Sequence, residues 1–313
     1  MLRIRVNRYS ISIVDTARLH KFFAAFVLIA GCAWGQSLTG VIDIHAHCDP
    51  DSTPRSIDAI DLAKLAVARG MRGLILKNHY EPTASLAYLV RKEVPGLEVF
   101  GGIDLNRSVG GINAAAVEQM VKVKGGWGRV VWMPTFDAEN EVRSSKANRP
   151  FVPIARNGQL LPEVRNVIAL IARHDLVLAT GHSSQNEAML LIREARRQGV
   201  RHVVVTHAIY KPVNMTLARM QEAARQGAFI EFAYNGLIGA GKMFEVSDFA
   251  AAIRKVGVEH CILSSDLGQV GNPLHPEGLE AYFTALRGQG FTVGEIERMA
   301  KTNPATLLGL PIR

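Results

Sequence analysis

Asp43-Ile44-His45-Ala46-His47 stands at the end of the first strand-like run of the chain. Residues i and i+2 of a strand point to one face, so the two imidazoles are delivered side by side, as a divalent metal needs. On that spacing Asp43 shares the face of His45, either as an acceptor for an imidazole N–H or as an acid of the core paired elsewhere. An isolated His-x-His is common by chance; its meaning depends on where other such groups fall. Four later apolar runs end in residues able to hold a metal or move a proton. Leu74-Ile75-Leu76 leads to Lys77 and His79, 176–181 to His182, 203–206 to His207, and 261–265 to Asp266. The run 129–133 ends instead in Pro134-Thr135, without a ligand.

The elements that must position these groups alternate between strand and helix patterns. Eight strands are expected, at 41–45, 73–77, 98–103, 129–133, 176–180, 202–206, 228–232 and 260–264. They are continuous apolar runs, which suits strands buried on both faces. Helices are expected from Ser56 to Gly70, Asn186 to Gly199 and Asn214 to Gly227, each closing at a glycine. The fold class is therefore α/β, a single-domain (β/α)8 TIM-type barrel, for which ~250 residues are typical. A doubly wound open sheet is the alternative, but no Gly-x-Gly-x-x-Gly turn follows a strand. In a barrel the active site lies at the C-terminal strand ends. The ten histidines sort accordingly. His45, His47, His182 and His207 fall at C-terminal ends, with His79 just beyond one. His174, His202 and His260 fall at or before N-terminal ends, His20 in the leader, and His275 in the loop after the last strand.

On these residues the chain resembles the metal-dependent hydrolases of the amidohydrolase superfamily, in a subgroup without an assigned activity. The resemblance rests on His45-Ala46-His47, His182, His207 and Asp266, with Asn303-Pro304-Ala305-Thr306-Leu307-Leu308-Gly309-Leu310 similar to the family's C-terminal helix. It implies that His45, His47 and Asp266 hold one metal, and that His182 and His207 hold a second or contact substrate. Members with two metals usually bridge them with a carboxylated Lys or a Glu from strand 4, which this chain lacks. Lys77 is the buried-looking lysine in reach. As a neutral amine, the form desolvation favours, it could take up CO₂ and bridge. As an ammonium it could steady an oxyanion or an anionic substrate group, or simply pair with a carboxylate.

A divalent ion held by neutral imidazoles and a carboxylate lowers the pKa of its water toward ~7. Asp266 is then the candidate general base, and His207 or His182, if not a ligand, could polarise the scissile oxygen. Zn²⁺ is the expected metal, in one or two copies, with Mn²⁺ or Fe²⁺ as alternatives because mixed His/carboxylate sites discriminate poorly. Cys48 beside His47 is read as a packing residue, with a thiolate ligand as the alternative. Arg55, His79 and Asn106 are the candidate substrate contacts, and Asn78, Tyr80 and Asn235 also sit at strand ends. The expected substrate is a small amide, cyclic amide, lactone or ester. A phosphate ester, a decarboxylation with one metal, and a non-catalytic solute-binding or sensory role are the rival readings.

The leader is a separate matter. Arg3, Arg5, Arg8, Arg18 and Lys21 precede an apolar stretch from Phe22 to Trp34, too short for a membrane span of ~20 residues and suited to a signal peptide. Residues 1–35 are therefore read as an export leader and 36–313 as the barrel, with a periplasmic or otherwise exported location. A lipoprotein anchored at Cys32 of Ile29-Ala30-Gly31-Cys32 is the lesser alternative, and an uncleaved anchor the third. The leader carries five Lys/Arg against Asp15, so about half of the net charge of +8 leaves with it. What remains implies a small-molecule substrate and no nucleic-acid partner, with no stable membrane span in the mature form and room for a homo-oligomer. Cys48 and Cys261 are placed at opposite barrel ends, where no disulfide is expected.

Overall fold

A computed structural model of the chain describes residues 37–312. The expected signal peptide and the Cys32 alternative lie outside these residues. Within them eight parallel strands form one sheet in chain order: β1 (Ile42–Ala46), β2 (Gly73–Leu76), β3 (Glu98–Asp104), β4 (Gly128–Trp132), β5 (Val177–Ala179), β6 (His202–Val205), β7 (Phe229–Ala233) and β8 (Cys261–Ser264). After them come α1 (Ala59–Ala68), α2 (Ala84–Glu93), α3 (Ala114–Lys122), α4 (Pro162–Arg173), α5 (Gln185–Arg197), α6 (Leu217–Arg225), α7 (Val246–Val256) and α8 (His275–Gly288). All eight expected strands are present, and the fold is the (β/α)8 barrel. The β4–α4 connection is the longest embellished one, with a short helix at Glu139–Ser144 and a two-stranded ribbon at Ala155–Leu160.

Strand alternation divides the apolar residues between two cores. Ile42, Ile44, Ile75, Phe100, Val130, Trp132, Val177, Val204 and Ile262 fill the barrel interior. Their neighbours Val41, Leu74, Val99, Val131, Leu178, Val203, Ile230 and Leu263 face the helices. Both faces of each strand are thus buried, which is why the runs read as continuously apolar. The C-terminal helix Asn303–Leu307 stops the interior, with Leu307 and Leu308 packed under the barrel residues. Buried Asn303 fixes it there by donating to Val258 O at 2.8 Å and Cys261 O at 2.6 Å.

Helix α1 starts later than its Ser56 cap suggests. Ser56 N donates to Gly268 O, and Arg55 bridges Gln269, so this segment is held extended against the loop after β8. Asp58 caps instead, accepting from Ile60 N and Asp61 N at 2.8 and 2.9 Å. The expected starts of the next two shift as well: α5 is capped two residues earlier than Asn186, by Ser184, and α6 two residues later than Asn214, by Thr216.

Replacing Leu307 by alanine removes a 1 %-exposed side chain from the barrel stopper. The expected cost is about 2–5 kcal/mol, read by denaturant unfolding. The candidate centre lies at the opposite end, so activity of the surviving folded fraction should be unchanged.

Candidate metal centre

The barrel closes between β1 and β8 just beyond the last regular ladder pair. Asp266 N donates to His45 O, and His47 N to Leu267 O, each at 2.9 Å. Asp266 adopts a left-handed backbone, φ 50°, which aspartate tolerates, and this turns its carboxylate inward. Its Oδ1 lies 3.1 Å from His45 Nε2 and 3.1 Å from His47 Nε2. One ligand atom from each of the three residues lies within 4.8 Å of the others, all buried. Gly268 passes so close that a Cβ there would come within 2.2 Å of His47 O. The register shifts between Asp43 and Ala46, which breaks the simple alternation. Asp43 is therefore not a partner of an imidazole ring. Its Oδ1 accepts from His45 N at 3.1 Å and Ser265 N at 3.0 Å in the β1/β8 seam, where desolvation pushes its pKa up to about 6.

Behind His45 stands Glu231, the one acidic residue in the run Ala228-Phe229-Ile230-Glu231-Phe232-Ala233. Its Oε1 lies 2.9 Å from His45 Nδ1 and accepts from Ser264 Oγ at 2.7 Å; its Oε2 accepts from His207 N at 2.8 Å. An acceptor at Nδ1 fixes the proton there and leaves the Nε2 lone pair facing Asp266, the carboxylate–histidine arrangement of a metal ligand. Nε2 of His45 has no good hydrogen-bond partner among the described residues. Burial lowers the proton affinity of both rings of the pair, yet their shifts differ in sign. Asp266 and Glu231 together lift His45 above its ordinary value, whereas Lys77 and His79 join burial in holding His47 well below. Asp266 itself, despite desolvation, is held well below the carboxylate range by these imidazoles. Two carboxylates facing one buried ring call for a positive charge between them, and two imidazole nitrogens with a carboxylate suit a divalent transition ion.

Three more imidazoles continue the arc. Ring centroids run His45–His47 5.2 Å, His47–His79 4.8 Å, His79–His182 6.5 Å, His182–His207 4.9 Å and His207–His45 6.0 Å, a closed circuit. His207, at φ 22°, stacks on Tyr210, and burial and the neighbouring His182 push its pKa down to about 3. His182 Nδ1 lies 2.9 Å from Glu141 Oε2, a second carboxylate–histidine pair. The strand that supplies no ligand supplies the bracing instead. Beyond β4, Thr135 Oγ1 lies 3.0 Å from His79 Nδ1, Asn140 Nδ2 donates to His182 O, and Glu141 holds the His182 ring.

Of the other candidates, Lys77 is 1 % exposed, with Nζ 3.1 Å from Asp104 Oδ2 and 3.3 Å from His79 Nδ1. Asn106 is wholly buried, and its amide is spent: Nδ2 donates to His79 O and Thr135 Oγ1, while Oδ1 accepts from Thr135 N and Asp137 N. It positions the β2, β3 and β4 loops and has no hydrogen-bonding capacity left for a substrate. Arg55 is held by Asp51 at 2.6 Å, with its charge felt at His47 and His79. His174, His202 and His260 stay outside the imidazole circuit, and His202 pairs with Asp175 at 3.3 Å. Burial pushes the Cys48 thiol up to about 12, which disfavours a thiolate ligand, and Cys48 and Cys261 are both free. Sequence reasoning missed Glu231, Glu141, Asp104 and Thr135. A lone acid inside an apolar strand was a usable signal for Glu231; Glu141 offered none.

Glu231→Gln should weaken metal affinity by about 10- to 100-fold while leaving circular dichroism unchanged, measured by competition with a chromogenic chelator. His275, which opens α8 wholly buried, has its pKa pushed down by burial from 6.5 to about 4. The unfolded chain binds that proton more readily, so stability is full above about pH 6.5 and is lost as pH falls toward about 4. His275→Phe should flatten this acid limb in a series of melting curves.

A family model described as "Family of unknown function (DUF6282)" matches residues 40–231. The match contains all five imidazoles of the circuit and ends at Glu231, before Asp266. No curated protein matches the chain. Among solved structures, an organophosphorus hydrolase from Deinococcus radiodurans superposes with a TM-score of 0.60 at 15 % identity, covering 90 % of this chain and 96 % of its own. A phosphotriesterase homology protein from Escherichia coli, complexed with phosphate in its active site, gives 0.59 at 17 %, covering 87 % and 99 %. An amidohydrolase from Burkholderia multivorans gives 0.56 at 15 %, again covering 87 % and 99 %. At these identities the likeness is one of fold. The family match spans more than half of the sequence, and the chain belongs to the family of unknown function DUF6282, on the barrel that phosphotriesterase-like and amidohydrolase proteins share.

Proposed function

We propose that this protein is a metal-dependent hydrolase that acts on a small amide, cyclic amide, lactone or ester with one divalent ion, zinc being the expected one. The observation that carries the reading is the convergence of His45 Nε2, His47 Nε2 and Asp266 Oδ1, with Glu231 fixing the tautomer of His45. When bound there, such an ion supplies a Lewis acid that polarises a substrate oxygen and acidifies a water. The protein's own groups do the rest. Asp266 Oδ2, turned toward Asn235 Nδ2 at 3.5 Å, takes the proton of the attacking water and returns it to the leaving group. Glu141 holds the proton of His182 at Nδ1, so Nε2 faces the centre as an acceptor. His79 borders the substrate side, braced by Lys77, Asp104 and Thr135.

A single ion is favoured because β4 ends without an acid and Lys77 is engaged with Asp104 at 3.1 Å. Lys77 is then an ammonium that positions His79, and no carbamate bridge is required. Phosphate-ester hydrolysis is the second reading, supported by the phosphate in the active site of the Escherichia coli neighbour. Inhibition by inorganic phosphate would favour it. The basic and then apolar leader supports export of the enzyme.

Elemental analysis of protein purified without chelators, with bicarbonate present, should give one divalent ion per chain. Two would return Lys77 to a bridging role, and none after reconstitution would reject the centre. Asp266→Asn should lower turnover by about 10²- to 10⁴-fold in the folded protein, and near-native turnover would reject it as the base.

A further inference from the structure

Phe136 is a large aromatic residue left 39 % exposed at the rim of the candidate centre. Its ring contacts are imidazoles: it lies 4.2 Å from the His79 ring, and 5.6 Å from His182 at a right angle. His79 in turn lies 4.8 Å from His47, so Phe136 stands two ring contacts from a metal ligand.

The loop that carries it is held rigidly. Arg149 Nη2 donates to Phe136 O, and Arg149 Nη1 donates to Asp137 Oδ1 at 2.8 Å. Asp137 Oδ2 accepts from Arg107 N at 3.0 Å, and Asp137 N donates to Asn106 Oδ1 at 3.2 Å. The ring is tilted at 42° to His79 and stands at a right angle to His182, and the residue stays 39 % exposed. A flat, immobile, half-exposed aromatic beside reacting groups recognises flat apolar groups, because offset stacking favours rings with a complementary quadrupole.

We infer that Phe136 is a specificity-determining residue, a platform on which a planar apolar ring of the substrate stacks beside the bond to be broken. This deepens the hydrolase reading and rests on it: the substrate is an aryl-bearing ester, lactone or amide. Tyr80, whose ring lies 6.3 Å from His79, extends the aromatic border.

The test compares benzyl acetate with cyclohexylmethyl acetate on the metal-loaded full chain. The two esters differ in the planarity of a ring equally distant from the scissile bond. Wild type should prefer the benzyl ester in KM, and Phe136→Leu, which keeps apolar bulk, should erode that preference by about two- to tenfold. Leu89→Ala, an exposed leucine on α2, should leave the preference intact. Equal loss on both esters would overturn the platform and leave Phe136 a shield over His79 and His182; so would no change on either. If wild type hydrolyses neither ester, the ester reading fails, and the platform is tested alone with the corresponding alcohols by ligand-observed NMR. Preferential binding of benzyl alcohol that disappears in Phe136→Leu supports it, and equal binding of the two alcohols refutes it.

Discussion

Closure of the barrel and assembly of the candidate centre are one event. His45 and Asp266 are linked through the backbone, Asp266 N to His45 O, and meet again through their side chains at 3.1 Å. Everything else on the rim is referred to that seam. Ser265 is tied to Asp43 and to His45 O, and Gly268 is pressed against His47. Glu231 draws β7 and the residue after β6 toward the same ring. The contacts between the first and last strands join residues about 220 positions apart, and chain entropy opposes closing so long a loop. The ligand set is complete only where β1 and β8 are joined.

The buried carboxylates explain why this seam specifies a geometry. An acid in an apolar barrel is costly unless its oxygens are hydrogen-bonded or paired with charge. Glu231 meets the condition with three donors from three different strand ends, so the strands cannot slide without leaving its charge uncompensated. Asp104 is compensated at one oxygen: Oδ2 meets Lys77, Thr135 and His79, while Oδ1 has no hydrogen-bond partner among the described residues. The two acids divide the rim into one sector that fixes metal ligands and one that fixes the substrate side.

The legible parts of the molecule were those with a period. Apolar runs punctuated by glycine placed all eight strands, and the rule that barrel chemistry sits at C-terminal ends separated His182 and His207 from His202 and His260. What escaped depends on three-dimensional neighbours. Asn106 was read as a substrate contact from its loop position, and only its four partners reveal it as a brace. Ser56 resembled a cap until its segment paired with the β8 loop. Pro134-Thr135 looked like a strand end without chemistry, although the loop beyond it holds two of the imidazoles. Such roles leave no spacing to read, because their partners lie on strands distant in the chain.

The stopper at the foot of the barrel has a consequence for orientation. Arg72, just ahead of β2, donates to Pro311 O, and the Lys301 side chain lies 3.5 Å from where a Cβ on Gly40 would stand. Residues at both ends of the described chain therefore meet on the floor, across the full height of the barrel from the imidazole circuit. The two ends of the described residues therefore leave the barrel from its floor, on the side away from the mouth.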